Sequence, residues 1–398
     1  MVVAAILTVE DQGKIKALHI IVELAVKLSG LGLSVAILKL CAEKRPLDEK
    51  HEIFYSGLRL IPIASVVVYG AICLLGSFGL ISQDPTINST FKYYGVILIP
   101  MTLNFYMIAY FQAFKEFKLI SKVQSISRLF SFLLILGFTY YFLFNGYIIA
   151  SIVGFSSTTF YFAYHLDFSR VRKSLFKSFV RIRKEVIAIA KFAMISQFFN
   201  RFNAFVGLLI LNFIITDRVE FGYFAFCITI LEGLSIAVRS IQQITIPYFS
   251  EKSGDIVIWK KSFYKYNRIL FFTILFIVLV SILVLPFLIN FVFDNKYDGS
   301  IVYLLYLIPS WGVRSLVSLR GSGLIGLGKV NVNFYNNVLI SLIATPLIYV
   351  LAEMYGVWGA VYGHIFTSIF TYVIIAWTFR RIMKKLSEED ILNRANVE

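Results

Sequence analysis

What most limits the possible folds of this chain is its succession of apolar stretches, each longer than the roughly 18–20 residues that cross a bilayer as a helix. Eleven full spans can be read, at about 14–39, 57–81, 91–113, 122–144, 146–164, 186–215, 219–247, 266–292, 299–326, 331–352 and 355–379. A soluble core has no room for so many. Residues are 58% hydrophobic and only 15% charged, where a soluble chain averages roughly a quarter charged. The expected class is all-α, a polytopic membrane protein. Connections are short, so neighbouring spans run antiparallel, and the longest connection is the basic stretch from His165 to Glu185.

The net charge is +15. In a soluble chain that balance would suggest nucleic acid. In a membrane chain Lys and Arg collect in cytoplasmic loops, so no nucleic-acid partner is expected. Threading the chain through the spans puts 29 Lys and Arg on one side and five on the other. That asymmetry supports the span assignment and places the C-terminus in the cytoplasm. The cysteines (Cys41, Cys73, Cys227) form no CxxC, and the histidines (His19, His51, His165, His364) have no zinc spacing, so neither metal nor cofactor is expected. The apolar residues Met1 to Leu7 are too few to span and lack the basic start of a signal peptide. They read as the end of a first helix that is mostly missing.

The chain also repeats itself. Leu98-Ile99-Pro100 recurs as Leu307-Ile308-Pro309, and Glu23 as Glu232, each 209 residues on; Asn145-Gly146 meets Tyr355-Gly356 after 210. Six helices per repeat is an even number, so the halves share one orientation. The expectation is two parallel-repeat six-helix bundles with a path between them near the midplane. The divisions are 1–164 for the N-terminal bundle, 165–185 for a cytoplasmic basic linker on anionic headgroups, 186–380 for the C-terminal bundle and 381–398 for a cytoplasmic tail.

Gly321-Ser322-Gly323-Leu324-Ile325-Gly326 fits G-x-G-x-x-G, but no strand precedes it and it ends a membrane helix. Close helix packing explains it better than a nucleotide. Pro62, Pro100, Pro286, Pro309 and Pro346 fall inside spans, and the repeated pair Pro100 and Pro309 is the candidate for kinks on which a bundle bends.

Of the 38 Lys and Arg, 34 fall in loops or at span ends, which leaves four deeper in the spans: Lys27, Arg201, Arg239 and Arg314. A charge at such depth costs roughly 2.5–3.5 kcal/mol, so each should face protein or water. Helical spacing aligns His19, Glu23 and Lys27, then Gln197 and Arg201 with Asn200 beside them. It also aligns Glu232, Ser235, Arg239 and Gln243, and Arg314 with Ser318. Glu23–Lys27 and Glu232–Arg239 could be ion pairs that join helices. That would leave Arg201 and Arg314 without an acidic mid-span partner, unless one crosses from another helix. Every aspartate falls in a loop or tail. An anionic ligand would complete the cationic surplus, and a planar guanidinium suits phosphate.

Val9-Glu10-Asp11-Gln12-Gly13, with a helix ending Gly30-Leu31-Gly32-Leu33-Ser34-Val35-Ala36-Ile37, resembles the start of the polysaccharide flippases of the multidrug/oligosaccharidyl-lipid/polysaccharide (MOP) exporter superfamily. Gly222-Tyr223, Pro247, Asn295-Lys296-Tyr297, Gly328-Lys329 and Tyr355-Gly356-Val357-Trp358-Gly359-Ala360 extend the resemblance over nearly the whole chain. It implies two bundles around a cationic cavity working by alternating access. The implied cargo is a polyprenyl-diphosphate-linked oligosaccharide moved to the outer leaflet of the bacterial plasma membrane, for O-antigen, capsule or exopolysaccharide. Under that reading Arg201, Arg239, Arg314, Lys27, Gln197 and Asn200 bind the substrate, and Glu23 or Glu232 couples an ion. Membrane lipids, and polymerase or chain-length proteins of the same pathway, are the partners. No enzymatic activity is expected. The alternatives are a multidrug exporter of the superfamily, disfavoured by the cavity's sign, and a membrane-embedded polymerase or glycosyltransferase, disfavoured by the short outer loops.

Overall fold

The computed structural model describes residues 6–7, 9–79, 81, 85–166, 179–215, 218–293 and 296–395. Most of the N-terminal apolar stub and of the basic linker lies outside them. The described residues contain no strand. Their helices are α1 Val9–Ser29, α2 Leu33–Leu40, α3 Leu47–Ser77, α4 Pro85–Tyr94, α5 Leu98–Ala113, α6 Phe117–Tyr164, α7 Phe179–Ile214, α8 Arg218–Glu251, α9 Ile256–Phe293, α10 Asp298–Ser315, α11 Ser318–Gly326, α12 Val330–Tyr355 and α13 Val357–Ala395.

Among the described residues nine helical segments, and a tenth made of the bent pair α1–α2, are long and apolar enough to cross a membrane. The eleventh expected span lies within α6. At 48 residues and ~1.5 Å per residue, α6 is more than twice too long for a ~30 Å hydrocarbon layer. It is a hairpin folded at Leu143, whose φ of 48° and ψ of −128° are non-helical. A side chain on Gly146 would overlap the Phe138 carbonyl, and Gly154 lies against Ser131, so the two arms run antiparallel. The span expected at 14–39 is broken by 53°, because Leu31 (φ 49°) and Gly32 (φ 69°) both leave the helical region. A side chain at Gly32 would strike the backbone of Ala190 and Met194, so glycine is what lets α7 approach the bend.

The chain forms two compact units, Met1–Phe202 and Asn203–Glu398. In the first, Leu18, Val22, Val26, Phe91, Leu98 and Ile148 belong to one buried cluster. The α4–α5 span is 72% buried over its apolar window, whereas those of α3 and α6 are 17% buried. In water such bare apolar faces would be an anomaly; against lipid they are the expected exterior. Lipid is as apolar as leucine, so close packing and polar contacts hold the helices together. At one end of this unit Arg45 binds Glu43 (3.1 Å), Glu49 (2.7 Å) and Glu185 (2.9 Å). Partial burial alone would lower the pKa of Arg45, but these three carboxylates raise it.

In the second unit α9 is the outward helix, 17% buried over its apolar window, while the α10–α11 span is 56% buried. The Gly321–Gly326 run packs helices, as its small residues suggest: a side chain on Gly323 would come within 3.1 Å of the Trp259 ring, and Gly326 abuts Phe249. Trp259 stacks on Phe263, with centroids 5.3 Å apart.

The two units share backbone detail. Gly356 has φ 58° and ψ −131°, close to Leu143, and opens the α12–α13 hairpin. Three residues later a side chain on Gly359 would overlap the Leu351 carbonyl, just as Gly146 meets Phe138. Here the offset is 213 residues, so Asn145-Gly146 matches Tyr355-Gly356 in sequence but not in place. The ends of α5 and α11 agree as well. Amides of Phe114, Lys115 and Glu116 donate to Tyr110, Gln112 and Phe111, and those of Leu327, Gly328 and Lys329 to Gly323, Ile325 and Leu324. From Pro309 to that helix end the second unit has four residues more than the first has from Pro100, about one turn. That extra length accompanies the break between α10 and α11.

Candidate functional site

The polar face read on α1 exists. His19 Nε2 lies 3.2 Å from the Glu23 carboxylate. Glu23 does not stop at its own helix: its other oxygen is ion-paired with Arg201 of α7. So a carboxylate does cross to Arg201, and it is Glu23. Glu23 keeps only 12% of its side chain exposed and Arg201 22%. A carboxylate that deep requires such partners, because removing either would strand a charge in a poorly solvated place.

One turn along α1, the Lys27 ammonium sits 4.6 Å from the centre of the Phe105 ring. It edges a small cleft lined by Val26, Lys27, Gly30, Thr102, Phe105 and Gln197, among others. The cleft opens where α1 breaks, and non-helical backbone at membrane depth is tolerated only in protein or beside a cavity. The Thr102 hydroxyl is buried there without a hydrogen-bond partner. Thus the first unit gathers Lys27, Gln197, Arg201 and Glu23, while Asn200, next to Arg201, is exposed. Pro100 stands in the first turn of α5, directly after the 3₁₀ turn Gly95–Ile97, and its carbonyl accepts the Thr159 hydroxyl at 2.7 Å.

The second unit holds the remaining residues. Arg239 is exposed and turns back on its own helix, donating to the carbonyl oxygens of Glu232 (2.9 Å) and Ser235 (3.4 Å). Arg314 occupies the last turn of α10, with Pro309 inside that helix. The next residue, Ser310, lies 3.1 Å from His364 Nδ1 and 2.9 Å from the Ser368 hydroxyl. Trp311 donates to Ser235 at 2.8 Å. A second small cavity is lined by Asn203, Phe224, Ile348, His364 and Thr367, among others. Sequence reasoning gave His364 no place. Its one signal was a titratable residue beside Gly363 in the middle of an apolar span.

A family model described as "Polysaccharide biosynthesis protein" matches residues 1–253. No curated protein matches the sequence. Among solved structures, the Vibrio cholerae MATE transporter VcmN is similar with a TM-score of 0.75 at 15% identity, over 96% of this chain and 91% of that one. The eukaryotic MATE transporter AtDTX14 is similar with a TM-score of 0.75 at 14% identity, over 95% and 90%. An inward-facing multidrug resistance MATE family transporter of the MOP superfamily gives 0.71 at 14%, over 95% and 92%. At such identities the likeness speaks for the fold alone, which is similar to that of these MATE transporters. With more than half of its length matched by the family model, the chain belongs to the polysaccharide biosynthesis protein family.

Proposed function

We propose that this protein is a flippase. It would carry a polyprenyl-diphosphate-linked oligosaccharide from the inner to the outer leaflet of the bacterial plasma membrane, by alternating access, for surface polysaccharide synthesis. The observation that carries this reading is the cationic cleft of the first unit: Lys27 at its edge, Gln197 in its wall and Arg201 close by in sequence on the same helix, in a chain of a polysaccharide family. A diphosphate head offers paired oxygens to guanidinium and ammonium groups, while the lipid tail stays in the bilayer. Arg239 and Arg314 are the anion-binding groups we assign to the second unit, and Asn200 a further polar contact. Glu23 and Glu232 are candidates for cation coupling, and Pro100 and Pro309 for bending. The excess of basic residues on one side sets the C-terminal tail in the cytoplasm. Membrane lipids and the pathway's polymerase or chain-length proteins are the partners.

The test is display of surface polysaccharide in a deletion strain complemented with Lys27→Ala/Arg201→Ala. Two charged contacts, each worth about 1.5–3 kcal/mol, predict at least a ~10-fold loss with normal membrane insertion. Undiminished display from the inserted double variant would end the proposal.

A second reading, export of organic cations, is favoured by one observation. Glu23 is a nearly buried carboxylate with a histidine beside it, as a cation-binding cavity requires. Sensitivity of the deletion strain to organic cations, relieved by wild type and not by Glu23→Gln, would favour export over flipping.

A further inference from the structure

The exposed face of α9 changes character along its length. Lys261, Lys265 and Arg268 follow one another at four and three residues, so they stand in a column about one turn apart. Phe272, Phe276 and Leu279 continue the same face. All six are exposed, Phe272 at 60% and Phe276 at 67%. The helix is 17% buried over its apolar window, so this face meets lipid, apolar beyond Arg268 and cationic before it. Tyr264 is also exposed and stands beside the column, as aromatic residues do at a membrane interface.

The three cations differ from the lysines around them. Lys252 donates to the Ser262 hydroxyl at 2.8 Å, and Lys260 to that of Ser387. Among the described residues, Lys261, Lys265 and Arg268 make no ion pair and no side-chain hydrogen bond. Nearby acids are engaged elsewhere. Asp255 accepts from the amides of Val257 and Ile258 at 2.9 and 3.1 Å. Glu388 and Glu389 face Lys384 and Lys385 on α13, and Glu251 has a contact of its own. The patch therefore carries positive charge that the protein does not balance, on a surface whose occupant is a lipid.

The direction of the column selects among lipids. From Lys261 to Arg268 it extends about 10 Å along the helix, and so in depth across the headgroup layer. A diacyl phospholipid brings a phosphate at a single depth. In a diphosphate that joins one tail to a sugar, the phosphates follow one another along the molecule. Such a head presents its charge in depth, turn by turn beside the column, and the Arg268 fork can take two of its oxygens. The tail then lies along Phe272, Phe276 and Leu279. The Lys260–Ser387 bond sets this end of α9 beside the C-terminal tail, which the transport reading assigns to the cytoplasm.

We propose that this face of α9 is a docking site for the polyprenyl-diphosphate end of the cargo, occupied before the cargo enters the transport path. The identity of the ligand rests on the flippase reading. The site uses none of the residues of the first unit's cleft.

The experiment is photolabelling of the full chain in phosphatidylcholine nanodiscs, with a polyprenyl diphosphate that carries a diazirine near its head. Labelled peptides are read by mass spectrometry. Label is expected on residues 269–279. Lys261→Gln/Lys265→Gln/Arg268→Gln should raise the half-saturating probe concentration at least ~10-fold, and Lys27→Ala/Arg201→Ala should not change it. Should the triple variant fail to insert, Arg268→Gln alone should raise it about fivefold. Phosphatidylglycerol in excess over the probe should leave the label in place. Absence of label from α9, label indifferent to the three cations, or label displaced by phosphatidylglycerol would each overturn the proposal. None of these touches the flippase reading, which is tested by polysaccharide display. Undiminished display from Lys27→Ala/Arg201→Ala with cation-dependent label on α9 would remove the cleft reading and keep the docking site.

Discussion

The hairpin inside α6 and the hairpin from α12 to α13 follow one backbone path with different residues. At the turn the first unit has Leu143 where the second has Gly356, with φ of 48° and 58°. After α5 and α11 the left-handed residue is Lys115 in one and Gly328 in the other, with φ of 61° and 73°. The second unit answers both demands with the residue that has no Cβ, and the first answers with side chains that resist them. Three residues past each turn, however, both use glycine, because there the neighbouring arm's carbonyl leaves no room. Packing against backbone admits no substitute, whereas conformational strain of about 1–3 kcal/mol can be tolerated when the surrounding structure holds it.

That contrast can be broken by experiment. The largest effect is expected from Gly146→Ala and Gly359→Ala, whose new methyls collide with backbone that cannot rotate away. Each should lower stability by about 3 kcal/mol or more, at or beyond the top of the overpacking range, read as thermal unfolding in detergent. Tolerance in one unit alone would break the equivalence of the hairpins. Next come Leu143→Gly and Gly356→Leu, with opposite signs. The first should stabilise by about 1 kcal/mol and the second destabilise by about 1–3 kcal/mol. A loss of stability in Leu143→Gly would mean that its exposed side chain matters more than its backbone. The smallest pair is Lys115→Gly and Gly328→Lys, about 0.5–1 kcal/mol up and down respectively. Equal melting curves for all three proteins would show that this turn carries no strain in either unit.

Much of the fold was legible because the bilayer simplifies the reading. Runs of apolar residues give the spans, and all eleven have counterparts once α6 is seen as two arms. The break at Leu31 and Gly32 was not legible, since a bend leaves the count of apolar residues unchanged. The repeat was visible at Pro100 and Pro309, but its offset drifts by about one turn, which preserves helical phase and so escapes pattern matching. At the site, periodicity aligned His19, Glu23 and Lys27 correctly and drew attention to Glu23–Lys27. The partner that Glu23 takes across helices is Arg201, and no spacing rule links α1 to α7. His364 was overlooked because its partners, Ser310 and Ser368, become meaningful only when α10 and α13 lie side by side.

The bond between Glu23 and Arg201 also sets terms for whatever enters the cleft and seeks that guanidinium. A guest must outbid a resident carboxylate, so a singly charged ion gains little by replacing one negative group with another. On the flippase reading, a doubly charged head with several oxygens would gain more from the same exchange, and Glu23 would be left to His19 beside it. On that reading an ordinary salt bridge would double as a threshold on the charge density of the guest.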